Sequence, residues 1–392
     1  MADAARPECS PSSRSHPVRI LVRGVNWLGD AVMTTPALLR LREANPAAQI
    51  TLLTHDKLAE LWRYHPAVDS VLSFSPRPSV WSVARTLRGG NFQVGLALPN
   101  SHRSALELWL ARIPRRIGSA RPWRNWLLTQ RVPPPAGHLQ MRKRSVAEIK
   151  SLLAARRGEA AGSALRGASS HSAHHLHHYL HLVAALGANP EVLAPLLAVG
   201  PDEVAAAKEK FSVANDALWV GLNPHAEYGP AKRWPAERFL AAATEIQNLA
   251  RCRWLIFGGP ADTAAATTLA GSLRQTFPSA PPLNLAGRTT LRELCALLKF
   301  CRVLLTNDSG PMHVAAAVGT PVVAIFGSTA PELTGPGLPG DPRHCLLRSE
   351  TPCAPCFRRE CPIDFRCMTS IRVERVVEAV LKVCRSSAAI QV

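Results

Sequence analysis

Three short stretches put polar residues where apolar runs end. In LLTNDSGPMHVAAAVGTPVVAIFG (304–327) a strand-like run stops at Asn307–Asp308, Ser309–Gly310 makes a tight turn, and Pro311 suits the first position of a helix. Free backbone N–H groups at such a helix start attract an anion, and Gly310 would let a phosphate come close to the backbone. Asp308 and Ser309 would equally serve as plain helix caps. In LNPHAEYGPAKRWPAERF (222–239), Lys232 and Arg233 occupy a loop ahead of a helix opening at Pro235. A cation there can neutralise a leaving diphosphate, or it can be an ordinary solvated loop lysine. FGGP (257–260) adds a third turn of this kind, with Gly258 inside it. Together, at the carboxyl ends of adjacent strands, they point to a nucleotide-diphosphate site.

A fourth stretch, RILVRGVNWLGDAVMTTP (19–36), holds one carboxylate, Asp30, where strand pattern gives way to helix pattern. Asp30 could cap a helix starting at residue 31. Pro36 argues against that, because it would then lie inside the helix. A helix beginning near Thr35 would leave Asp30 in the turn and free.

The elements that must hold these residues read as alternating strands and helices. Apolar runs at 19–24, 50–55, 68–74 and 92–98 alternate with helical patterns at 31–45, 57–64, 79–88 and 104–113. The alternation resumes with runs at 218–223, 253–259, 283–288, 302–308 and 321–327, and helices at 235–250, 261–276, 290–300 and 311–318. Such βαβ units predict an α/β chain of two doubly wound parallel sheets, with chemistry in the cleft between their carboxyl ends. We divide the chain into a disordered tail (1–18), a first domain (19–200), a second domain (201–370) and a C-terminal helix and tail (371–392). Residues 133–178 form a basic, His-rich excursion of the first domain.

At 392 residues and 47% hydrophobic content the chain has ample core for two domains. Its formal charge of +18 attracts anions: nucleic acid, an anionic membrane face or phosphorylated substrates. No run alternates aromatic and basic residues as a nucleic-acid sheet does, so no nucleic-acid partner is expected. Residues 1–18 lack the apolar segment of a secretory signal, and the longest apolar stretch is broken by Gly319 and Pro321. A cytoplasmic enzyme resting on a membrane surface is the expectation. Residues 103–124 carry Arg103, Arg112, Arg115, Arg116, Arg121 and Arg124 against one acid, Glu107. Some of these arginines suit anionic groups of a substrate and several suit a solvated helix face.

Four cysteines cluster in CAPCFRRECPIDFRC: Cys353, Cys356, Cys361 and Cys367. The spacing suits a structural zinc ion or iron–sulfur cluster, and also a reduced cysteine-rich loop. HSAHHLHHYLHL (171–182) reads as a solvated helix face rather than a metal site.

In order along the chain, VNWLGDAVMTTPAL, LPNSHRSALELWLARIPRRIG, HAEYGPAKRWP and TNDSGPMHVAAAVGTPVVAIFG resemble the bacterial ADP-heptose:lipopolysaccharide heptosyltransferases of glycosyltransferase family nine, most of all their heptosyltransferase II branch. The resemblance runs from about residue 19 to 330, with 140–175 unmatched. It implies a GT-B fold: two Rossmann-like domains across a cleft, acceptor on the first and nucleotide sugar on the second. It further implies an inverting transfer of L-glycero-D-manno-heptose from ADP-heptose that requires no cofactor. The second heptose is favoured over the first or another sugar. The acceptor would be the anionic, lipid-linked Kdo/heptose inner core at the cytoplasmic face of the inner membrane, which gives the enzyme peripheral contact with that membrane.

The family's general base maps onto Asp30. Its donor site maps onto Lys232, Arg233, Gly258, Asp308, Ser309, Gly310, Met312 and His313, with Asp308 at the donor sugar. For the acceptor, Asn100, Arg103 and Arg115 are the expected contacts.

Overall fold

Short Val-, Ile- and Leu-rich runs, buried on both faces, build two six-stranded sheets in which every neighbouring pair is parallel. The computed structural model describes residues 17–75, 78–135, 141–154, 173–215 and 217–388. The tail expected over 1–18 lies, but for its last two residues, outside these, as do residues 136–140 and 155–172 of the excursion.

The first sheet holds β1 (Arg19–Arg23), β2 (Gln49–His55), β3 (Ser70–Phe74), β4 (Val94–Ala97), β5 (Arg115–Ser119) and β6 (Gln130–Val132) in the order β3-β2-β1-β4-β5-β6. The second holds β7 (Leu218–Asn223), β8 (Cys252–Ile256), β9 (Leu283–Asn284), β10 (Leu304–Asn307), β11 (Val322–Phe326) and β12 (Cys345–Arg348) in the order β12-β11-β10-β7-β8-β9. Both are the doubly wound order, reversing between β1 and β4 and between β7 and β10. A crevice opens at such a reversal, outside the carboxyl ends of the strands.

Three strands depart from the sequence expectation. β5 begins with two arginines, β6 spans three residues and β12 four, too few for an apolar run to register. The helix expected over 31–45 is two helices, Leu28–Met33 and Thr35–Ala44. Pro36 has no N–H for the Val32 carbonyl, and the Thr35 hydroxyl donates to that oxygen instead at 2.8 Å. The C-terminal helix Val373–Ala388 packs on helix Ala236–Ala250 and on β11 and β12.

The largest hydrophobic core crosses the two lobes, from Ile20, Ile50 and Leu52 through Leu176 and Leu180 to Leu297, Met312 and Ala315. Helix Leu28–Met33 of the first lobe lies on helix Gly310–Ala317 of the second. Two glycines make the approach. A Cβ on Gly29 would stand 2.6 Å from the His313 ring, and one on Gly310 would stand 3.0 Å from Leu28. Helix His175–Ala184 from the His-rich stretch packs on Thr35–Ala44, burying Leu176, Tyr179 and Leu180.

Candidate active site

The chain leaves β1 at the crevice and turns at once into helix Leu28–Met33. Its N-cap is Trp27, without a side-chain cap hydrogen bond. Asp30 therefore sits within the first turn of a short helix, not in a free turn as expected, yet it does not cap that helix. Its carboxylate looks across the lobes into a cavity of about 340 Å³ that Lys232, Asp308, Ser309, Gly310 and His313 also line, a size in the range of small-molecule sites. Burial raises the Asp30 pKa. A hydrogen bond from the Tyr179 hydroxyl at 3.3 Å and the charge of Lys232 oppose the rise, and Asp308 adds to it. A buried carboxylate held above its ordinary range is a stronger proton acceptor than an exposed one.

On the facing lobe, Lys232 ends a short 3-10 turn, Pro230–Lys232, and its Nζ lies 2.6 Å from Oδ2 of Asp308. Asp308 also accepts a 2.6 Å hydrogen bond from Thr329, and the Lys232 ammonium rides 4.9 Å over the Tyr228 ring. Ser309 occupies the N-cap position of helix Gly310–Ala317, but its side chain does not cap. The hydroxyl instead turns toward β7 and β10, 3.0 Å from both Asn223 Nδ2 and Thr306 Oγ1. The first N–H groups of that helix, at the cavity wall, are left without a side-chain cap. Burial pushes His313 down to about 4, so its imidazole is neutral near pH 7.

The pattern of glycosyltransferase family 9 (heptosyltransferase) matches residues 80–365. The chain belongs to that family. Lipopolysaccharide heptosyltransferase 2 of Salmonella typhimurium is 29% identical over 326 residues, which cover 81% of this chain and 85% of that protein. Lipooligosaccharide heptosyltransferase 2 of Campylobacter jejuni serotype O:6 is 34% identical over 165 residues, 42% of this chain and 50% of its own. Among solved structures, ADP-heptose lps heptosyltransferase II of E. coli superimposes with a TM-score of 0.73 at 24% identity, covering 95% of this chain and 100% of that one. The E. coli heptosyltransferase WaaC with ADP gives 0.61 at 14% identity, covering 93% and 100%. The two-lobed GT-B architecture implied by the resemblance is the fold of this glycosyltransferase.

Of the residues expected to act in this glycosyltransferase, Asp30, Lys232, Asp308, Ser309, Gly310 and His313 meet in the one cavity. The room over Gly310 is taken by Leu28 of the other lobe rather than left open for a phosphate. Met312 points into the core and is fully buried. Arg233 is spent on a loop staple, donating from Nε and Nη2 to the Ala226 carbonyl at 3.2 and 3.1 Å. Gly258 lies against His225, Asp262 and Ala286, away from the cavity wall.

The acceptor-side expectations fare differently again. Asn100 is exposed and does not line the cavity. Arg103 is tied to Glu107 at 2.9 Å and to the Pro78 carbonyl. Arg115 opens β5, at the amino-terminal edge of the sheet and so away from the crevice, where it bonds Gln130 and the Ala185 carbonyl. Arg116 and Arg124 are no solvated face either. Arg116 donates to the Leu127 and Ile113 carbonyls, and buried Arg124 donates to the Pro99 carbonyl at 2.6 Å. Glu107, the lone acid of the stretch, is buried between Arg103 and Arg23.

Several wall residues escaped the sequence reading: Trp27, Lys143, His175, Tyr228 and Phe357 line the cavity, and Tyr179 touches Asp30. Trp27 and Tyr228 stood inside the quoted motifs. Lys143 and His175 stood in the basic, His-rich excursion and Tyr179 in the His-rich stretch 171–182, where only tertiary contact marks them. The segment 103–126 also exposes aromatic and basic residues together along the chain. Trp109, Trp123 and Trp126 are 43%, 57% and 60% exposed, with the Trp109 and Trp126 rings 6.0 Å apart. Arg103 and Arg112 are exposed in the same segment, and its one acid is buried.

Proposed function

We propose that this enzyme transfers L-glycero-D-manno-heptose from ADP-heptose to the inner core of lipopolysaccharide, as the second heptose, with inversion. One observation carries the reading: a buried carboxylate from the first lobe faces a lysine and an uncapped helix start from the second across a single cavity. The acceptor hydroxyl attacks the anomeric carbon as its proton passes to Asp30, while the bond from that carbon to the diphosphate oxygen breaks. Negative charge then gathers on ADP. In this reading Lys232, shared with Asp308, and the amides at the start of Gly310–Ala317 take that charge. Preorganised cations and N–H groups of this kind supply the stabilisation that a metal ion gives in other transferases.

The acceptor carries a lipid, and among the described residues no helix is long and apolar enough to cross a membrane. The exposed tryptophans of the first lobe, with arginines beside them and no exposed acid in the segment, match an anionic bilayer surface, where tryptophan favours the interface and arginine the headgroups. They support peripheral work at the cytoplasmic leaflet.

The test is ADP release from ADP-heptose with purified heptosyl-Kdo₂-lipid A. Turnover by the wild type and its loss in Asp30→Ala are expected. No ADP from the wild type with this acceptor, alongside turnover on Kdo₂-lipid A, would transfer the assignment to the first heptose. No ADP with either would sink it.

A further inference from the structure

Cys353, Cys356, Cys361 and Cys367, separated by two, four and five residues, take no part in the site above. The fold nevertheless brings all four to the wall of one small pocket closed by Ile149 and Ile363. Its free volume is about 10 Å³. That is room for one water-sized sphere, the size of a single bound ion.

The loop is bent to serve its sulfurs. Phe357, directly after Cys356, and Phe365 both hold left-handed backbone, at φ 56° and 55°. For bulky residues this costs roughly 1–2 kcal/mol each, and it persists only where the surroundings enforce it. At the second bend, Phe365 N–H donates to Cys361 Sγ at 3.3 Å. Cations complete the surroundings, Arg144 and Arg358 near Cys356 and Arg366 near Cys353. Nε of Arg358 is buried without a hydrogen-bond partner.

We propose that these four cysteines bind a single divalent ion of the zinc class as a tetrathiolate. Four S–H groups give up four protons to solvent, four sulfur–metal bonds form, and no electron is transferred. The centre carries a net charge of −2, which the three arginines offset. Among the described residues no three His, Cys, Asp or Glu side chains stand at ligand spacing, so ligation turns the sulfurs inward from the pocket wall.

The ion lies outside the reaction and positions what performs it. The cysteine loop carries Phe357 into the active-site wall. Its Phe357 carbonyl accepts from the Tyr228 hydroxyl at 3.0 Å, and its Arg359 carbonyl accepts from Ala231 N–H at 3.0 Å, immediately before Lys232.

The test is metal content by mass spectrometry of the full chain, produced with zinc and purified without chelator. About one zinc per chain is expected. The ion should be lost in the Cys353→Ser/Cys356→Ser variant and retained in Cys384→Ser, whose thiol lies outside the pocket. Cobalt-loaded wild type should show sulfur-to-cobalt charge-transfer bands, which decides the matter even if the double variant fails to fold. Zinc in the wild type no higher than in the double variant, iron with acid-labile sulfide, or a disulfide among the four cysteines would each overturn the proposal.

Discussion

Tyr179→Phe removes one hydroxyl and leaves the buried ring. That hydroxyl donates to Asp30 at 3.3 Å, and burial together with Asp30 pushes the phenol well above its ordinary pKa, so it remains a donor at every working pH. A hydrogen bond to a charged group contributes about 1.5–3 kcal/mol, and this long one belongs at the lower end. About 1.5 kcal/mol corresponds to roughly one pH unit. The bond stabilises the ionised carboxylate, so without it the Asp30 pKa, already raised by burial, climbs further. The acid limb of kcat/KM for ADP release should therefore move to higher pH by about one unit. At pH well above the limb, where Asp30 is ionised in both proteins, the rates should agree within a few-fold. A limb that stays in place while the rate falls equally at every pH would refute the argument, because Tyr179 would then be packing and Asp30 would not be the group titrating.

Asp30→Asn should abolish turnover and stabilise the fold near pH 7. A carboxylate raised on folding contributes its full stability below its unfolded pKa and loses it as pH rises through the folded value. Denaturation curves of the two proteins should thus converge near pH 3 and separate toward neutrality. Lys232→Met should lower kcat by roughly 10²–10³, and it leaves buried Asp308 unpaired, at a cost of about 3–5 kcal/mol in urea unfolding. Adding Asp308→Asn should recover most of that stability and none of the rate. Trp123→Ser/Trp126→Ser should weaken co-sedimentation with phosphatidylglycerol vesicles without altering turnover of a delipidated acceptor. Equal sedimentation of variant and wild type would remove this face from the membrane.

The repeated alternation of apolar runs and helical patterns was enough to read two doubly wound lobes, and the turns after β1, β7 and β10 stood out because strand pattern broke at polar residues. Asp30, Lys232 and Asp308 were legible for that reason. Arg115 misled because a strand that opens on two arginines resembles a basic surface, and only the sheet shows that Arg115 lies at the edge opposite the crevice. Arg233 misled because its side chain bonds the carbonyl of Ala226, a local contact that residue type does not announce.

By itself the sequence determined the fold class and the family, since both depend on periodicity and on motifs in order along one chain. Only the tertiary structure decided which residues share a cavity. Tyr179 meets Asp30 across 149 residues, Lys232 meets Asp308, Trp109 meets Trp126, and four thiols line one pocket. Contacts between distant segments are set by how helices pack on sheets and lobes on each other, and Gly29 and Gly310 permit that packing without revealing what it brings together.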